Sequence, residues 1–277
     1  MTQADVLVDG LTLPEGMRWR NGKLWFSDLL ASRIMTVDLT GRTEALGEVP
    51  GHPSGLGFTP DGKLLVVSMR DSRLLRLEPE GLVEAANLSR LVRAYCNDMV
   101  VDSAGRAYVG DVGFDRHAGE APRKGALVRV DPDGLMCVAA DEVDFPNGAV
   151  ISPDGRTLIV AETFGRLLSA FDIDESGALA HRRVFARIDG TPDGIALDAE
   201  GAIWVADYLG HRILRVREGG QVTRVIDTGE RNAFACALGG PDGRTLFYST
   251  SIGKTHPDFQ KNKLGRIETL RVEIPGA

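Results

Sequence analysis

The chain has 277 residues, 43% of them hydrophobic, with 32 basic and 39 acidic side chains and a net charge of -7. That length can bury a large core, and the acidic balance excludes nucleic acid as a partner, because phosphate binding needs a basic surface. No apolar stretch approaches the roughly 20 residues that cross a bilayer, the first residues read as no signal peptide, and Cys96, Cys137 and Cys236 form neither a C-x-x-C pair nor a disulfide framework, which points to a reducing, cytoplasmic compartment.

In chain order, Asp5–Val8 is predicted as a short strand. From Pro14 the stretch PEGMRWRNGKLWFSD gives an alternating apolar run, an Asn21-Gly22 turn and a second apolar run. The module returns as PSGLGFTPDGKLLVVS from Pro53, CNDMVVDSAGRAYVGD from Cys96, PNGAVISPDGRTLIVAE from Pro146 and PDGIALDAEGAIWVAD from Pro192. A looser copy, AFACALGGPDGRTLFYS, starts at Ala233. Asn-Gly and Asp-Gly at the turns supply the positive φ that two-residue hairpins require. A third apolar run follows in most units and a weaker fourth after it, and the modules recur on average about every 44 residues, the size of a four-stranded propeller blade.

The expected fold is therefore all-β: a six-bladed β-propeller forming a single domain over residues 1–277. Its inner strands should start near Gly16, Gly55, Asp98, Gly148, Gly194 and Ala235, with Asp5–Val8 joining the last blade to close the ring. Residues 113–124 form a polar insertion after the second strand of blade three. Loops of that length in compact repeats act as lids or as solvated spacers, and His117 within it is a candidate substrate contact.

A propeller's inner strands run beside its central channel, so one register of the repeat forms a ring about the axis. At the second position of each module the residues are Glu15, Ser54, Asn97, Asn147, Asp193 and Phe234. Two carboxylates placed so close would repel until one held a proton. A hard cation removes that penalty, and oxygen-only ligands suit calcium or magnesium. The competing reading is that these residues serve the turns alone. Asp172–Gly177 opens like an EF-hand loop, but Arg183 stands where the bidentate glutamate belongs, which makes the segment a hairpin.

Several stretches together resemble the SMP-30/gluconolactonase/LRE-like (regucalcin) family over essentially the whole chain. They are Leu13-Pro14-Glu15-Gly16 with Trp19, Asn97-Asp98 with Val101-Asp102 and Gly105, Phe145-Pro146-Asn147-Gly148 with Ser152–Gly155, Pro192-Asp193-Gly194 with Trp204–Ala206, and Ala235–Gly240. The resemblance implies one divalent cation (calcium first, with zinc, magnesium or manganese as alternatives) held by Glu15, Asn147 and Asp193. Asn97 would be a further ligand or a substrate contact, and Asp193 the general base of a hydrolase that opens a lactone or related ester. The same Glu, Asn, Asn, Asp set is similar to that of phosphotriesterase-like propellers, and blade five resembles NHL interaction repeats, so an organophosphate hydrolase and a non-catalytic binding propeller are the alternatives. Family members acting on sugar lactones carry arginine two residues before the position of Asn97. Here that residue is Tyr95, and Phe234 adds a second apolar group, so the expected substrate is a small-molecule lactone less polar than a sugar lactone.

Overall fold

In the computed structural model, which describes residues 4–116 and 118–277, the strands pair into six separate four-stranded antiparallel sheets. The innermost strands are Pro14–Arg20, Pro53–Phe58, Cys96–Val101, Pro146–Ile151, Pro192–Leu197 and Asn232–Gly239. Each packs against the next around the axis, and the last packs against the first. This is the six-bladed propeller that the repeat predicts.

The ring closes as expected. Asp5–Leu11 pairs antiparallel with Gly265–Arg271 and becomes the outermost strand of the sixth blade. Chain ends that are distant in sequence are thereby joined by a ladder of backbone hydrogen bonds.

Successive blades bury their faces against one another. Leu168, Ala170 and Phe185 of blade four, for example, pack with Ile203, Val205 and Leu214 of blade five. A second strand is covered on both faces, so Leu64–Ser68 and Ile203–Asp207 are buried at every position and read as continuous apolar runs. The outermost strands meet a neighbour on less of their surface, and Val222–Asp227 alternates between exposed and half-buried. That contrast explains why the fourth strand of each module has the weakest sequence signal.

The inner strands begin two or more residues earlier than expected, because the register residues lie inside them and not ahead of them. In every blade the pairing of first and second strands is interrupted at this register: after Glu15, Pro53, Cys96, Pro146, Pro192 and Ala233. A bulge there increases the local twist and re-aims the side chains. The glycine that follows most register residues marks the closest approach of neighbouring inner strands. A Cβ added to Gly148 would lie 2.5 Å from the Ile195 nitrogen and 2.7 Å from the Gly194 Cα. Backbone cannot yield there as a flexible side chain would, so Gly148→Ala should cost about 1–3 kcal/mol, the usual range for overpacking. Chemical denaturation of parent and variant measures this, and an unchanged midpoint would contradict the packing described.

Candidate functional site

The bulges deliver their side chains to a cavity of about 210 Å³ at one end of the channel. Glu15, Asn97, Asn147, Asp193 and Phe234, from five of the six inner strands, all line it. Ser54, the sixth register residue, is buried, and its Oγ donates to Asn97 Oδ1 at 3.3 Å. Tyr95 also lines the cavity and is 5% exposed, with the Arg70 guanidinium 5.6 Å from its ring centre. The candidate substrate contact His117 lies outside the described residues.

Each ligand-type side chain rests on a fixed stretch of backbone. The second strands of blades one, three, four and five end in Asp28, Asp111, Glu162 and Asp207, all buried. Asp28 Oδ1 accepts from the backbone N–H of Thr12 at 2.9 Å and of Leu13 at 3.1 Å, just ahead of Glu15. Asp111 accepts from the Arg93 and Ala94 backbone ahead of Asn97. Glu162 takes the N–H of Asp144 at 2.7 Å, ahead of Asn147, and Asp207 takes that of Thr191 at 2.8 Å, ahead of Asp193. Thr163 ties two of these segments together, since its Oγ1 accepts from Asn147 Nδ2 at 3.2 Å and donates to the Pro192 carbonyl at 2.8 Å. Sequence reasoning missed these supports. Their signal was the recurring acid that closes the second run in WFSD, YVGD, IVAE and WVAD.

Charge is concentrated at the site. Glu15 is held well above the usual carboxylate range by burial first, then by the charges of Asp193 and Asp98. Asp193 is likewise held high by burial and by Asp98, against the opposing pull of a hydrogen bond from Asn147 and the charge of Arg116. Asp193 Oδ1 is buried without a hydrogen-bond partner. Asp98 occupies the position that is glycine in four other blades. Arg18 Nη2 approaches it to 3.3 Å and also donates to the Met99 carbonyl at 2.6 Å.

Among the described residues no group of three or more His, Cys, Asp or Glu side chains is placed to hold a metal ion. Any cation here would rest on two carboxylates supplemented by the amide oxygens of Asn97 and Asn147. The donor set is all oxygen, one of those oxygens lacks a partner, and the carboxylates repel. These properties fit a hard divalent cation.

The rest of the wall mixes the rings of Tyr95, Phe145, Tyr208, Phe234 and Phe259 with aliphatic and polar side chains. Phe234 packs on Tyr208 at 5.2 Å and edge-on against Phe259 at 5.5 Å. Phe259 belongs to α1 (His256–Asn262), a short helix inserted between the second and third strands of blade six, Thr245–Ser251 and Gly265–Arg271. Its start was legible in Thr255-His256-Pro257-Asp258: Thr255 Oγ1 accepts from the Asp258 N–H and the Asp258 carboxylate accepts from the Thr255 N–H, a capping box with proline in the first turn. Arg116 and Lys254 also reach the cavity, and nothing in the repeat announced them.

A six-bladed propeller with two carboxylates and two carboxamides gathered at one register defines a class of axial-site propellers. The profile of the SMP-30/gluconolactonase/LRE-like region matches residues 13–252, and the chain belongs to that family. It is 31% identical over 266 residues to 6-deoxy-6-sulfogluconolactonase of Pseudomonas putida, covering 93% of this chain and 89% of that one. It is 30% identical to regucalcin of Xenopus laevis, covering 88% and 84% of the two chains. Among solved structures it superposes with a TM-score of 0.83 on a calcium-binding protein, regucalcin, from Agrobacterium tumefaciens, at 24% identity over 99% of this chain and 95% of that one.

The crowding of carboxylates has a thermodynamic signature. In the unfolded chain Asp and Glu lose their protons near about pH 3.9 and 4.3. In the folded, cation-free chain Glu15 and Asp193 keep theirs to higher pH. Stability from this source is full below the unfolded values and is lost as pH rises through the folded ones. In excess chelator, therefore, Asp193→Asn should melt higher than the parent near pH 7, and the difference should shrink as pH is lowered towards about 5. A variant that melts lower than the parent in chelator at neutral pH would contradict the repulsion.

Proposed function

We propose that this protein is a metal-dependent lactonase, with one divalent cation held on the axis by Glu15, Asn97, Asn147 and Asp193. The observation that carries the reading is the pair of mutually repelling carboxylates on one register, half-buried Glu15 and buried Asp193 with an oxygen lacking a partner, lining one cavity with the carboxamides of Asn97 and Asn147. Calcium is the first choice for an all-oxygen set that includes amide carbonyls, ahead of zinc, magnesium or manganese. The lactonase named among the relatives supports ring opening of a cyclic ester as the reaction.

When bound, such a cation supplies Lewis-acid polarisation of the ester carbonyl, stabilisation of the developing oxyanion and a lowered pKa for water. The chain's own groups do the rest. Asp193 is the catalytic residue, because its unengaged Oδ1 is available to orient the attacking water and take up a proton. Beside a cation its carboxylate is a weak base, so orientation outweighs proton abstraction in its contribution. The hydrogen bond from Asn147 fixes the Asp193 carboxylate, and Thr163 fixes Asn147 in turn. Tyr95 and Phe234 contact the substrate, and with Tyr208 and Phe259 they form an apolar wall that excludes water from the ester.

The wall also sets the substrate's polarity. Tyrosine offers one hydroxyl and a broad apolar face where arginine would offer five donors. A less polar lactone than a sugar lactone fits this wall, and such pockets discriminate weakly, by about 1–3 kcal/mol per methylene.

Two outcomes follow. Glu15→Gln should weaken cation affinity by at least about tenfold in calorimetric titration, and activity on lactones should vanish in chelator and return with calcium. On a lactone panel, alkyl and aryl lactones should exceed gluconolactone in kcat/KM, and Tyr95→Arg should move the ratio towards gluconolactone. Full activity without any cation would contradict the metal assignment, and gluconolactone as the best substrate would contradict the pocket assignment.

A further inference from the structure

Two cationic side chains enter the cavity from outside the register ring. Arg116 comes from the loop after the second strand of blade three, and Lys254 from the segment ahead of α1 in blade six. Some arginines beside the blades are answered by acids, as Arg106 is by Asp102, Arg182 by Glu162, Arg212 by Asp207 and Arg215 by Asp198. Among the described residues Arg116 and Lys254 form no such ion pair. Arg116 hydrogen-bonds the Tyr208 hydroxyl. The carboxylate of Asp258, the acid that feels Lys254, already accepts from the backbone N–H groups of Lys254 and Thr255 and from Thr255 Oγ1.

The charges of the cavity then leave a surplus. One divalent cation would balance Glu15 and Asp193, and Arg18 already stands against Asp98. Arg116 and Lys254 are left over, so the loaded cavity is positive in a chain whose net charge is -7. Arg116 and Lys254 are exposed side chains of the cavity lining, so a neutral lactone leaves them to water, whereas an anionic substituent gains charge-assisted hydrogen bonds from them.

We propose that the lactone carries an anionic substituent, a carboxylate or sulfonate, which Arg116 and Lys254 hold while the ester faces Glu15 and Asp193. The proposal rests on the lactonase reading and narrows its substrate class to anions with an apolar body. Arginine suits such a group because its planar fork binds two oxygens at once. Ring opening adds the hydroxyl of water to the acyl carbon and breaks the acyl–oxygen bond. The other proton of that water goes to the ring oxygen. The new carboxylic acid ionises at neutral pH, so the product is a hydroxy acid with two negative charges.

The test compares γ-valerolactone with two analogues whose ring methyl is replaced by a carboxylate or by a sulfomethyl group, using calcium-loaded enzyme. The parent should favour at least one anionic analogue by about tenfold or more in kcat/KM, and the larger preference identifies the anion. Added salt should erode that preference by screening. Arg116→Gln and Lys254→Gln should each raise KM for the preferred anion about tenfold more than for γ-valerolactone, with kcat moving less than KM. Arg116→Lys should recover part of the loss. Calorimetry of the ring-opened diacid should show the same order of affinities without any turnover. If the enzyme opens neutral lactones without preferring either anion, or if the variants impair neutral and anionic substrates equally, this inference fails and the lactonase reading stands. An enzyme that opens none of the three lactones would overturn both.

Discussion

Closure of the ring is the constraint on which the rest of the structure depends. Glu15 and Asp193 lie in different blades, and nothing local in the sequence brings them together. They meet because the pairing of Asp5–Leu11 with Gly265–Arg271 draws the six inner strands onto one axis. Packing between blades favours closure, while the mutually repelling carboxylates oppose it. A cation at the axis would reverse the sign of that opposition, so binding on the axis and closure of the ring are linked equilibria. The proposed function and the stability of the fold share one set of charges.

The buried acids that end the second strands carry this constraint from fold to site. Each holds backbone N–H groups a few residues ahead of a ligand-type side chain. Hydrogen bonds to charged groups contribute about 1.5–3 kcal/mol each, so such a segment does not drift without a substantial loss. Ligands of a cation must keep their places through repeated turnover, and rigid support of this kind is how a site keeps them there. The acids are buried away from the cavity, which separates the charges that hold the backbone from those that face the axis.

Much of this was legible in the sequence because propellers are built from local modules. The hairpin with its glycine turn declares itself six times, four of them as Asn-Gly or Asp-Gly, and Asp5–Val8 stood out as a strand without a module of its own. The register ring was legible for the same reason, since equivalent positions in a closed repeat must converge. The strand starts were misplaced because a bulge leaves no compositional mark beyond the glycine that follows it. Tyr95 and Phe234 were recognised as part of the wall by their place beside or on the register. Thr163, Arg116 and Lys254 were not, because they sit after strands or in insertions, where periodicity gives no bearing. Their contribution depends on which blade faces which, and that is a property of the closed ring.

The central claim is that the axis holds a cation. The most direct measurement is anomalous diffraction from crystals of this protein soaked in manganese, which scatters anomalously and accepts oxygen ligands. The account predicts one strong peak on the axis, within coordination distance of oxygens from Glu15, Asn97, Asn147 and Asp193. A map with no axial peak, in which the Arg116 guanidinium instead lies against Asp193 and neutralises it, would contradict the account.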